Sequence, residues 1–288
     1  MKTLPNRPFW WAFLQLIRWN NLLIIAFTQY LAYYQLIINQ GFEGWGTPPW
    51  GLVFCIVATL CIAAAGYVIN DYYDIKIDNI NKPDKVIIGR YIARREAIIF
   101  NFSLNCIGLF LAWKVSFYFF LASLTCAFFL WLYSNYLKRL PVIGNIVIAL
   151  LSAMSLLIIS FYNALNWHLV AMFGLFAFFI SFIREIIKDM EDIRGDARFG
   201  CKTLPILWGI RRTKRVIYVL LLSFSILILS TFFTFYDYFT LYLYISVLPA
   251  LLVLTYQLMY ADRKKKFREL SQLCKLIMIL GILSMLLA

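Results

Sequence analysis

The chain has 288 residues, of which 63% are hydrophobic and 14% charged, with mean hydropathy +0.78. A soluble domain is nearer half apolar and about one quarter charged, so an ordinary soluble fold is excluded. The formal charge of +13, from 27 basic and 14 acidic residues, suits the cytoplasmic loops of a membrane protein. With no recognised nucleic-acid motif, nucleic acid is excluded as a partner.

The first predicted element is a short apolar stretch from Phe9 to Ile17, ending at Arg18 and lacking a small-residue cleavage site. It is therefore not a cleavable signal. With Trp10, Trp11 and Trp19 it reads as an interfacial helix lying along the headgroups. Nine apolar runs follow, at 20–38, 50–69, 96–113, 115–134, 142–162, 166–187, 214–235, 238–260 and 270–287. Each approaches the roughly 20 residues that a helix needs to cross a bilayer. The third and fourth are separated by little more than Lys114, so they form a tight hairpin. No long polar stretch remains for a soluble domain. The expected architecture is all-α: one membrane domain over 1–288, a bundle of nine transmembrane helices in two motif-bearing halves, 1–140 and 141–288, with a cytoplasmic active-site cap.

The basic residues lie on one side. The N-terminal segment and the loops after spans two, four, six and eight carry 25 of the 27, leaving Lys114 opposite and Lys275 inside span nine. That asymmetry predicts a multi-pass protein of the cell membrane, N-terminus cytoplasmic and C-terminus on the opposite side. Of the 14 acidic residues only Glu43 and Asp237 fall on the basic-poor side, which the positive-inside rule does not predict. The six cysteines form no C-x-x-C pair, so neither a disulfide framework nor a zinc site is suggested.

The acidic residues gather in two places with one spacing. Asp71, Asp74 and Asp78 follow span two, and Asp189, Asp192 and Asp196 follow span six. Both segments read D-x-x-D-I-[KR]-x-D. On a helix, positions i, i+3 and i+7 fall within an arc of about 60°, so each segment, if helical, aims three carboxylates at one place. Like charges so arranged repel and require a compensating cation. Mg²⁺ fits, because it takes a few carboxylates together with phosphate oxygens and water. Two facing clusters would then hold a diphosphate between them, and the repetition hints at internal duplication. One D-x-x-D alone is an ordinary pair of solvated loop charges; two matched copies on one side are not. Lys82 and Lys85, Arg184 and Lys188, and Lys138 stand close enough to contact that diphosphate, whereas Arg211 to Arg215 and Arg263 to Lys266 read as topology signal.

At these residues the chain resembles the UbiA superfamily of intramembrane prenyltransferases. Asn70 to Asp78 matches that family's N-D-x-x-D-x-x-x-D motif, and Asp189 to Asp196 its second aspartate motif. Arg18 and Asn21 resemble its R-P-x-N element, with Trp19 where proline is common, and Tyr133 to Lys138 resembles its tyrosine–lysine segment. Val86 departs from the R-P that usually follows the first motif. The stretch from Arg184 to Ile206 looks most like the branch that makes digeranylgeranylglyceryl phosphate.

The resemblance implies a Mg²⁺-dependent enzyme. Asp71, Asp74, Asp189 and Asp192 would hold the metal that neutralises the diphosphate of a prenyl donor, and its departure creates an allylic cation that an acceptor captures. Asn70 and Asn21 would add oxygen contacts, while Asp78 and Asp196 would orient the ligands or take up the final proton. The cation needs a dry, electron-rich pocket, to which Tyr133 is the first candidate for a π-face, ahead of Tyr72 and Tyr73. The implied acceptor is a lipid, geranylgeranylglyceryl phosphate; an aromatic acceptor such as 4-hydroxybenzoate is the alternative. His168, far from both motifs, reads as interfacial. A cation transporter, the non-enzyme alternative, would carry its carboxylates inside the spans rather than at their ends among basic residues.

Overall fold

A computed structural model describes residues 8–38, 49–163, 166–231 and 238–288, and among these every named element is helical. Glu43 and Asp237, the acidic residues predicted on the basic-poor side, lie outside the described residues. The chain divides into two compact units: Met1–Phe27 with Pro48–Asn135, and Thr28–Thr47 with Tyr136–Ala288.

The first unit is built on α3, Trp50–Asn81, against which α4, Arg94–Val115, and α5, Phe117–Asn135, pack. The approach is close because α3 offers small residues to its neighbours. A Cβ on Gly66 would meet the Leu130 side chain of α5 at 2.9 Å, and one on Gly108 of α4 would meet Ile62 at 2.9 Å. Small residues bring membrane helices together where no hydrophobic force does. α4 and α5 are joined through Ser116, whose Oγ accepts the Phe119 amide at 3.1 Å. The helix α1, Phe9–Leu16, buries Ala12 and Leu16 against Val68, Ile87, Ile88 and Ile92 while Trp10 stays exposed. Its outward side is apolar too, with Phe9 and Leu14 exposed beside Trp10.

In the second unit α7, Trp167–Arg198, is packed by α6, Ile143–Leu157, α8, Leu204–Ser230, and α11, Lys264–Leu283. α11 turns Phe267, Leu270, Cys274 and Ile277 inward, a helical stripe. The short α9, Tyr238–Tyr242, leads through a π-helical turn into α10, Leu248–Met259. Gly209, at φ 74°, breaks α8 after its first turn, a conformation that costs any other residue strain. The buried Lys214 of α8 donates to the Met259 carbonyl and to Asp262, both at 3.2 Å. It therefore holds the end of α10 and is more than the topology signal its neighbours suggested.

Among the described residues, eight helices are long and apolar enough to cross a membrane, and their large apolar side chains, such as Phe102, Leu222 and Leu252, are exposed as lipid-facing residues are. The predicted span 20–38 is not among the eight. It is helical, as α2, Trp19–Leu31, continued by a π-helical turn, Ala32–Ile37. Its apolar signal is diluted by residues such as Gln29, which donates to the Ser155 carbonyl of α6 at 2.6 Å, and the buried Gln35.

The two aspartate segments differ from expectation in one respect. They are not loops after spans two and six but the final turns of α3 and α7, each 32 residues long. Such a helix runs about 48 Å against a hydrocarbon core of about 30 Å. Each motif therefore stands on a rigid extension beyond its span.

Candidate active site

On α3 the three carboxylates share a half-buried face, while Lys76 and Asn79 point to the exposed side. Asp71 is anchored by Arg18, whose Nη2 donates to Oδ1 at 2.8 Å, and its side chain is also bonded to Asn70. Arg18 sits at the junction of α1 and α2 with φ 53°. That left-handed conformation is uncommon for a residue with a side chain, and here it turns the chain between the two helices. The guanidinium also lies 4.7 Å over the ring of Tyr67, one turn before Asp71. The predicted Arg18 and Asn70 thus join the first cluster. Asn21 is half-buried in the first turn of α2, its amide bonded to the Arg18 carbonyl. Tyr72 and Tyr73 meet edge to face at 5.5 Å, and Lys82 ends α3 with its amide on the Asp78 carbonyl at 2.7 Å.

The second cluster is built the same way. Asp189, Asp192 and Asp196 are half-buried along α7, and Asp189 lies in the field of Asp196 and Glu185. Its anchor comes from α6: Asn145 Nδ2 donates to Asp189 Oδ2 at 2.8 Å. Each motif's first aspartate is therefore held by a polar side chain from outside its own helix. Lys138 stands in a 3-10 turn, Leu137–Arg139, that leads into α6. The Arg139 carbonyl of this turn accepts the Lys202 amide at 2.8 Å, and the Cys201 amide returns to the Asp196 carbonyl at 3.0 Å. Tyr133 is half-buried in the last turn of α5, in the first unit.

Arg184 and Lys188, predicted to face the diphosphate, both bind Glu185 in the structure. Lys188 Nζ lies 2.8 and 2.9 Å from its two carboxylate oxygens, and Arg184 Nη1 lies 3.0 Å from one of them. The sequence reading missed Glu185, Asn145, Tyr67 and the buried Glu191, which accepts from Arg268 Nε at 3.0 Å. For Glu185 a signal was present, since it stands one turn before Asp189 on the same face. For Asn145 there was none, because its partner is 44 residues away.

The donor chemistry suits a hard divalent cation, being carboxylate oxygen on both helices. Among the described residues no three acidic, histidine or cysteine side chains converge closely enough to hold a metal alone. Mg²⁺ is commonly bound through one or two carboxylates and otherwise by phosphate oxygens and water.

The model of the UbiA prenyltransferase family matches residues 41–280. A digeranylgeranylglyceryl phosphate synthase of Sulfurisphaera tokodaii is 30% identical over 243 residues, which cover 82% of this chain and 83% of that protein. Among solved structures, one described for digeranylgeranylglyceryl phosphate synthase in membranes superposes with a TM-score of 0.75 at 24% identity. It covers 96% of this chain and 97% of that one. A UbiA homolog from Archaeoglobus fulgidus bound to GPP and Mg²⁺ gives a TM-score of 0.68 at 18% identity, over 95% and 99% of the two chains. The two structures share the fold, and the sequence relationship extends along most of the chain. This chain belongs to the UbiA prenyltransferase family.

Proposed function

We propose that this protein transfers a prenyl group, in a Mg²⁺-dependent reaction, from a prenyl diphosphate to geranylgeranylglyceryl phosphate. The observation that carries the acceptor is the 30% identity, over 82% of the chain, to a digeranylgeranylglyceryl phosphate synthase. The allylic C1–O bond of the donor breaks, and diphosphate leaves with the electron pair. The acceptor's free hydroxyl oxygen bonds to C1 and its proton passes to a base. Asp71, Asp74, Asp189 and Asp192 are assigned to holding Mg²⁺, which, when bound, supplies the positive charge that stabilises the departing diphosphate. Support comes from the repeated spacing and from the helical extensions that set each D-x-x-D on one face.

Arg18, Asn21, Asn70, Lys82, Lys138, Arg184 and Lys188 are assigned to orienting carboxylates and diphosphate. Asp78 and Asp196, further along the same faces, are assigned to orienting the metal ligands or taking up the final proton. Tyr133 is assigned to offering the allylic cation a π-face. The topology that accompanies this reading has nine spans, with the N-terminus and both aspartate motifs cytoplasmic and the C-terminus opposite, in keeping with the one-sided basic residues.

The test is to incubate purified protein with geranylgeranyl diphosphate and either geranylgeranylglyceryl phosphate or 4-hydroxybenzoate, identifying products by mass spectrometry. A second ether on the glycerol is expected, abolished by chelator and by Asp71→Ala or Asp189→Ala. Ring prenylation without glycerol product would overturn the acceptor, and activity in excess chelator would overturn the metal.

A further inference from the structure

Helix α8 carries two arginines on the face that lower down meets lipid. Arg212, Arg215, Val219, Leu222 and Ile226 follow one another at steps of three and four residues, so they share one side of the helix. All five are exposed, while Thr213, Lys214, Ile217 and Leu221 on the opposite side are buried. From Arg215 to Ile226 the stripe runs about 16 Å, roughly half of a hydrocarbon core of about 30 Å. The arginines therefore stand at headgroup level over an apolar column one leaflet long.

With Trp208 and Val216 the two arginines line a surface recess of about 500 Å³. Trp208 belongs to the short segment before the Gly209 break and the other three to the helix after it, so both sides of the bend contribute to one recess. Indoles favour the headgroup level, where the apolar ring and the N–H are both satisfied, and guanidinium forks match phosphate oxygens bidentately. Among the described residues neither Arg212 nor Arg215 pairs with a carboxylate. Their basic neighbours differ, since Lys214 pairs with Asp262, and Lys266 with Glu269. The positive-inside rule explains why basic residues gather on this side. It does not explain two unpaired arginines in a recess above a lipid-facing stripe.

We propose that Trp208, Arg212 and Arg215 bind the phosphate headgroup of an anionic phospholipid whose chain lies along Val219, Leu222 and Ile226. Charge selects the occupant. A zwitterionic lipid brings its own cation to the pair, whereas an anionic one leaves its phosphate charge for the arginines. A soluble phosphate would fill the recess and leave the apolar stripe unused. Binding here makes no use of the aspartate motifs, so its failure would leave the prenyl-transfer reading untouched.

Native mass spectrometry of the full chain in detergent, titrated with phosphatidylglycerol or phosphatidylcholine of matched chains, tests this. The wild type is expected to hold phosphatidylglycerol about twentyfold more tightly, from about fivefold for each basic residue at the surface. Arg212→Gln and Arg215→Gln should each lose about fivefold, and the double variant should bind the two lipids within about twofold of each other. Arg263→Gln with Lys265→Gln removes the same charge from the run that Asp262 and Glu269 flank, and it should keep the wild-type preference within about twofold. Equal loss in that control would make the preference one of net charge and overturn the proposal, as would a wild type with no preference. Millimolar inorganic phosphate should leave lipid binding unchanged; displacement of the lipid would make the recess a site for free phosphate and overturn it too. Should the arginine variants fail to insert, the emission of Trp208, taken as that lost in Trp208→Phe, carries the test in vesicles. Brominated phosphatidylglycerol should quench it more strongly than brominated phosphatidylcholine, and equal quenching overturns the assignment.

Discussion

Gly144 offers a perturbation whose size follows from the structure. It lies in the first turn of α6, where a Cβ would meet the Leu137 carbonyl oxygen at 2.8 Å and the Lys138 Cα at 2.9 Å, against ordinary contact from 3.4 Å. Both atoms are backbone, so no side chain can rotate away. Gly144→Ala must displace the 3-10 turn that carries Lys138, or α6 itself, whose next residue Asn145 anchors Asp189. Overpacking of this kind costs about 1–3 kcal/mol. At about 2–4 °C per kcal/mol for a protein of this size class, the apparent Tm in detergent should fall by several degrees. Because Lys138 moves, KM for the prenyl diphosphate should rise as well. Gly281, in α11, is the control, since nothing lies within 4 Å of its Cβ position. Gly281→Ala should be neutral or stabilising by up to about 1 kcal/mol, because alanine is the better helix former. Thermal unfolding and steady-state kinetics on the two variants decide the matter. If Gly144→Ala behaves like Gly281→Ala in both, the turn is not fixed by this contact and the reasoning fails.

Two further expectations concern the anchor of the second motif and the topology. Asn145→Ala removes a hydrogen bond to a carboxylate, worth about 1.5–3 kcal/mol, so kcat/KM should drop about tenfold or more and the Mg²⁺ requirement should rise. Asn145→Asp, which adds a like charge beside Asp189, should be worse, and wild-type kinetics in Asn145→Ala would refute the anchoring role. Single cysteines at Asp84, exposed after α3, and at Glu43 should react with an impermeant maleimide from opposite sides of the membrane. Labelling of both from the same side rejects the nine-span arrangement.

Much of this protein could be read along the chain because a membrane imposes its rules residue by residue. Every span must be apolar over about 20 residues, so helix positions appear directly in the sequence. The fold class and the hairpin around Ser116 both follow from that. The aspartate motifs were legible for a related reason: i, i+3 and i+7 spacing fixes a shared face before any tertiary contact exists. Where polarity rises, the sequence signal ends. It suggested loops at Asp71 and Asp189, because charged residues do not announce a helix that continues past the bilayer. In the structure those segments are helical, as the last turns of α3 and α7. The basic residues showed the same limit. Composition and the positive-inside rule account for their number, but not for which of them meets a carboxylate. That Arg18 holds Asp71, that Asn145 holds Asp189, that Lys188 and Arg184 bind Glu185, and that Lys214 closes the end of α10 were settled by tertiary structure. Except for the Glu185 pair, those partners lie on different segments of the chain, and a hydrogen bond between distant segments leaves no periodicity in the sequence to read.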